Sequence, residues 1–155
     1  MKHLVLTSVA VAALLLSGCS KKNPENMGDS SMIGSGDLAS RIQNEVSNVY
    51  FDYDRFNIRA DQQGSINNNA ALFNQAGAEA LTIKVEGNCD EWGSDQYNYA
   101  LGLKRAKAAK DALVKQGVNA DRISVVSYGE SNLVCTSRTK ECDAQNRRDE
   151  FKVGF

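Results

Sequence analysis

The stretch Leu81-Thr82-Ile83-Lys84-Val85-Glu86-Gly87-Asn88-Cys89-Asp90-Glu91-Trp92-Gly93-Ser94 decides how this chain folds. Leu81, Ile83 and Val85 alternate with Thr82, Lys84 and Glu86, the period of a strand with one face on a core. The pattern then breaks into a turn rich in Gly, Asn and Asp. Ser94 and Asp95 open a helix, since a hydroxyl can accept an orphan backbone N–H and an anion favours the positive end of the helix dipole. Leu103, Ala106, Ala109 or Lys110, and Leu113 mark the expected inner stripe of that helix, and Gly117 its stop.

Upstream, Val49, Phe51 and Tyr53 alternate with Tyr50, Asp52 and Asp54 and predict a strand. A helical stretch from about Arg59 to Ala76 follows, with Ile66, Ala70 and Phe73 on one face. Downstream, strands are expected around Ile123 to Tyr128 and Phe151 to Phe155, separated by an irregular loop from Gly129 to Asn146 that is long for a compact domain. The order strand, helix, strand, helix, strand, loop, strand predicts an α+β two-layer sandwich, with two main helices on one face of a four-stranded mixed sheet.

The 155 residues suit a single core, and 18 basic against 19 acidic side chains give a net charge of −1. No charge excess points to nucleic acid. The only histidine, His3, precedes an apolar run from Leu4 to Leu16 that is too short to span a bilayer and reads as a secretory signal. With that segment removed, no imidazole remains for a catalytic triad or a histidine metal site. Leu16-Ser17-Gly18-Cys19 resembles the bacterial lipobox, which makes Cys19 the lipidated first residue of the mature chain. Ser20 in place of Asp favours the outer membrane. The reading divides the chain into a signal peptide (1–18), a lipidated N-terminus and flexible tether (19–45) whose composition is polar from 20 to 40, and a domain (46–155).

Asp90 and Glu91 follow the end of a strand and precede a helix N-terminus, where ligands commonly bind in open α/β layers. Two readings stay open, binding residues or solvated turn residues. An enzymatic use of the pair on glycan is disfavoured, because adjacent carboxylates do not flank a scissile bond from opposite sides. Beyond Cys19 there are Cys89, Cys135 and Cys142. The last two are close enough in sequence to close a small ring, leaving Cys89 as a buried thiol, and no CxxC spacing supports a metal site.

Val49-Tyr50-Phe51-Asp52-Tyr53-Asp54, Glu86 to Gly93, Tyr97-Asn98, Leu101-Gly102 with Arg105-Ala106, Gly117-Val118, Ser127-Tyr128-Gly129-Glu130 and Asn146-Arg147-Arg148 stand in the order and spacing of another group of domains. In these blocks the chain resembles the OmpA-like peptidoglycan-binding domain family, and the lipobox resembles that of its lipoprotein members. The resemblance implies a non-enzymatic wall tether without cofactors, binding the diaminopimelate of the peptidoglycan stem peptide. It also implies docking with TolB and TolA of the Tol system, or a wall anchor without those partners.

Carried over residue by residue, the resemblance makes Asp90 the anion for the ligand's ammonium and Arg105 the planar fork for its carboxylate. Tyr53 and Asp54 line the first loop, Ser94 is the hydroxyl at the helix start, and Leu101 is an apolar wall. Asn98 and Arg105, two turns apart, are expected on one flank, with Arg105 on the rim and away from the Leu103-Ala106-Leu113 stripe. Cys89 and Trp92 depart from the family's usual residues, and Trp92 either stacks on ligand or covers the turn. Asn146-Arg147-Arg148 is either a second anionic site or a turn closure with an arginine holding a carboxylate.

Overall fold

The computed structural model describes residues 34–154. The expected signal peptide, Cys19 and the tether as far as residue 33 lie outside the described residues, as does Phe155. The described chain runs α1 (Ser35–Glu45), β1 (Val49–Tyr50), α2 (Gln63–Phe73), β2 (Thr82–Asn88), α3 (Asp95–Lys115), β3 (Ile123–Gly129), α4 (Lys140–Asn146) and β4 (Arg148–Gly154). Short 3-10 turns at Ala60–Gln62 and Ala120–Arg122 lead into α2 and β3. It is the expected α+β layering around a mixed sheet of order β1-β4-β2-β3.

β2 and β3 run parallel, with Ile83 opposite Ile123 and a register shift after Gly87. β4 lies antiparallel to β2, with Val85 opposite Phe151. α3 makes the crossover, and two glycines let it approach the sheet. A Cβ on Gly87 would lie 1.9 Å from the Gly102 carbonyl oxygen, and one on Gly102 would lie 2.3 Å from Ser127 Oγ. Helix and strand backbones therefore touch at this point, which fixes α3 directly above the turn that ends β2. Phe73 of α2 packs its ring 6.3 Å from that of Phe151, in a core shared with Ile66, Val85, Ala106 and Leu113.

Four expectations need correction. The buried face of α3 is Asn98, Leu101, Gly102, Arg105, Ala106, Ala109 and Leu113, while Leu103 is 38% exposed. The helix turns its smallest residue to the strand, so the stripe is set by the Gly102 contact and not by the leucine at 103. The first strand stops at Tyr50 instead of continuing to Tyr53, because beyond Phe51 the chain turns through Asp52 to Arg55.

Residues 35–45, compositionally part of the tether, form a helix. Leu38, Ile42 and Val46 recur every fourth position, a short stripe that average composition conceals, and Ala39 and Ile42 are buried. α1 also completes the sheet. β1 covers only Arg148 and Asp149 of β4, and farther along Gln43 donates to the Phe151 carbonyl and accepts from the Val153 N–H, both at 2.9 Å. Finally, the loop from Gly129 to Asn146 contains α4, capped by Thr139, whose hydroxyl accepts from the Cys142 N–H at 3.2 Å. Cys135 and Cys142 are disulfide-bonded, with Cα atoms 5.3 Å apart, and Cys89 is a buried free thiol.

Candidate functional site

Two chain turns meet above the C-terminal end of β2: Asp52 to Arg55 after β1, and Asn88 to Ser94 before α3. Ser94 caps α3, its hydroxyl accepting from the Tyr97 N–H at 3.3 Å. Asp54 takes a left-handed backbone conformation, φ 55°, that swings its carboxylate across to the phenol of Tyr97, which donates to it. That bond holds the Tyr97 phenol above its usual pKa.

Tyr53, Asp54, Asp90, Trp92, Gly93, Tyr97 and Leu101 enclose a cleft of about 180 Å³. Four of the six residues expected at a site, Tyr53, Asp54, Asp90 and Leu101, are therefore brought together in its walls. Tyr53 is 63% exposed, as a rim residue and not a core one. Ser94 acts from behind, as the helix cap. Trp92, expected either to stack on ligand or to cover the turn, lines it, and so does Tyr97, which was absent from the expected set; its place in the first turn of α3, beside the Ser94 cap, was the available signal.

Arg105 corrects the expectation most. It is not on the rim but fully buried, at 0% exposure, beneath the cleft. Its Nε donates to the Arg55 carbonyl at 2.8 Å, Nη1 to the Asn88 carbonyl at 2.9 Å and to Cys89 Sγ at 3.4 Å, and Nη2 to the Asp52 carbonyl at 3.2 Å. The guanidinium also stacks 5.1 Å from the Phe51 ring centroid. The planar fork thus ties both turns to α3 through backbone carbonyls. It lies inward because Gly102, one turn earlier, draws that flank of α3 onto β2. Burial lowers its pKa, opposed by the field of Cys89, Asp149 and Asp90.

Asp90 finds its cation elsewhere. Arg147 Nη1 donates to Asp90 Oδ2 at 2.9 Å, and Arg147 Nε to the Phe51 carbonyl at 3.1 Å, so the start of β4 clamps both turns. Asn98 Nδ2 donates to Glu130 and reaches the Asp90 carbonyl at 3.4 Å. Among the described residues Glu91 pairs with the exposed Arg138, at 3.7 Å, and fits the solvated-turn reading. Asn146-Arg147-Arg148 closes a turn. Asn146 holds both backbone groups of Cys135, and buried Arg148 donates to Glu150.

Two further groups sit under the floor. Burial pushes the Cys89 thiol up to about 11, against the opposing Arg105 charge. Asp149, opposite Gly87 in the ladder, is wholly buried, and neither carboxylate oxygen has a hydrogen-bond partner among the described residues. Its carboxyl lies well above the ordinary range because of that burial, with Arg105 pulling the other way.

The sequence profile of the OmpA family matches residues 50–147, a span that contains both turns, α3 and α4. The chain belongs to the OmpA family. It is 38% identical over 144 residues to the peptidoglycan-associated lipoprotein of Mesorhizobium japonicum, covering 89% of this chain and 84% of that one. To the peptidoglycan-associated lipoprotein of Pasteurella multocida it is 37% identical over 144 residues, covering 93% and 92%. The crystal structure of the peptidoglycan-associated lipoprotein from Burkholderia pseudomallei superposes with a TM-score of 0.64 at 33% identity, over 68% of this chain and 88% of that one. The C-terminal domain of Helicobacter pylori MotB, at 23% identity and TM-score 0.65 over 71% of this chain and 85% of that one, shares the fold. The cleft of this OmpA-family chain lies wholly within the matched residues.

Proposed function

We propose that this chain is a non-enzymatic outer-membrane lipoprotein that binds the stem peptide of peptidoglycan and so fastens the outer membrane to the wall. The observation that carries the reading is the small cleft between the two turns, with a buried anion, Asp90, in its wall and a buried cation, Arg105, beneath it. A diaminopimelate side chain ends in an ammonium and a carboxylate on one carbon. Asp90 and Asp54 suit the ammonium, while Arg105 and the N-terminal end of α3 supply a positive field for the carboxylate. Arg105 acts mainly as the brace that holds the two turns at the right separation. Tyr53, Leu101 and Ser94 complete the wall and its support.

In this reading the signal peptide (1–18) is removed, Cys19 carries acyl chains, and the tether lets the domain reach the wall. Several chains on one residue exceed what stable membrane anchoring requires. Similarity over most of the length to peptidoglycan-associated lipoproteins supports the assignment; in the same reading the domain docks with TolB and TolA and exchanges between TolB and the wall during envelope constriction. Co-sedimentation of the purified chain with isolated sacculi tests it. Saturable binding without release of soluble muropeptides is the expected result, and release of muropeptides, or no binding, contradicts it.

A further inference from the structure

We propose that the groove beside the cleft is a subsite for the amino-sugar part of a peptidoglycan fragment, with Trp92 as its stacking platform. The inference rests on the reading that the cleft takes the stem peptide. The groove has a volume of about 380 Å³ and is lined by Tyr53, Trp92, Lys140, Asp143 and Arg147. Tyr53 and Trp92 also wall the cleft, so the groove and the cleft share these two side chains.

Trp92 is 54% exposed yet fixed in place. Its Nε1 donates to Asp143 Oδ2 at 2.9 Å. Asp143 lies on α4, which is held by the Thr139 cap, by the disulfide through Cys142 and by Asn146, whose side chain accepts from the Val134 and Cys135 N–H groups at 2.9 and 3.1 Å. An aromatic side chain immobilised before binding loses little entropy when a ligand arrives. Its chemistry suits a sugar. A pyranose has an apolar C–H face that can lie on an indole, and hydroxyl and N-acetyl groups at its edge that need donors and acceptors. Lys140 and the Tyr53 phenol supply these along the groove. The two hollows adjoin, sharing Tyr53 and Trp92.

The test compares two probes on the full-length chain purified in detergent: a diaminopimelate tripeptide, and the same tripeptide carrying its disaccharide. The wild type should favour the glycosylated probe by roughly tenfold, the value of one good stacking contact. In Trp92→Ala the ratio between the two probes should collapse to near one, and Trp92→Phe should retain most of it. Trp92 is the chain's single tryptophan, so its emission should respond more strongly to the glycosylated probe. Equal affinity of the wild type for both probes, or an equal loss for both in Trp92→Ala, overturns the subsite alone. Binding of neither probe overturns the stem-peptide reading and the subsite with it.

Discussion

Asp90 and Arg147, 57 positions apart, form a largely buried ion pair at 2.9 Å that joins the turn before α3 to the start of β4. The pair keeps an anion in the cleft wall at a depth where an unpaired carboxylate would be strongly disfavoured. Its Oδ2 is the oxygen that Arg147 holds.

Asp90→Asn keeps the shape and removes the charge. Affinity for a diaminopimelate peptide should fall by ~2–5 kcal/mol, the range for truncating one partner of a desolvated charge pair. Arg147→Gln should act chiefly on stability, since it leaves Asp90 buried without a cation. Calorimetric titration with parallel melts separates the two, and wild-type affinity in a folded Asp90→Asn chain would restrict Asp90 to a structural part.

Arg105→Ala and Arg105→Lys should lose fold and binding together. The guanidinium holds three backbone carbonyls from two turns, and lysine cannot reach all three at once. Loss of such a buried, bonded cation costs about 3–5 kcal/mol. Normal melts combined with lost binding in Arg105→Lys would instead make Arg105 a direct ligand contact.

Asp149 should give the protein a pH-dependent weakness. Burial raises its carboxyl pKa in the folded state, so the native chain holds the proton more tightly than the unfolded chain does. Its stabilising contribution is therefore fully present below the ordinary value near ~4 and is lost as pH rises through the raised one. Asp149→Asn should melt several degrees higher than the wild type at pH 7–8, with the difference shrinking towards pH 4. A constant difference across melts from pH 4 to 8 would contradict this.

Cys89 should resist alkylation at pH 8, being buried and held up to about 11, and react only after unfolding. Thiol-blocking mass spectrometry should then find Cys135 and Cys142 in one linked peptide pair. A linked pair containing Cys89 would contradict the pairing.

Local pattern made much of this legible. Alternation at Leu81 to Val85 gave β2, and Ser94 and Gly117 bounded α3 within a residue or two. Tyr53, Asp54, Asp90 and Leu101 were placed at one site through resemblance, because their meeting depends on how two distant turns are held. What escaped was set by three-dimensional approach. The depth of Arg105 follows from the Gly87–Gly102 contact, which periodicity does not encode, and Leu103 was misassigned for the same reason. α1 escaped because three apolar residues in a polar stretch gain their stability only against the sheet, and α4 because a seven-residue helix braced by a disulfide and Asn146 has little pattern of its own.

The most direct measurement is calorimetric titration of the chain with two tripeptides that differ only at the third residue, one with diaminopimelate and one with lysine. Lysine offers the ammonium without the adjacent carboxylate. Saturable binding of the diaminopimelate peptide is expected, with at least about tenfold weaker binding of the lysine peptide, a difference of ~1.4 kcal/mol. Equal affinity for the two, or no binding of the diaminopimelate peptide by a folded chain, would contradict it.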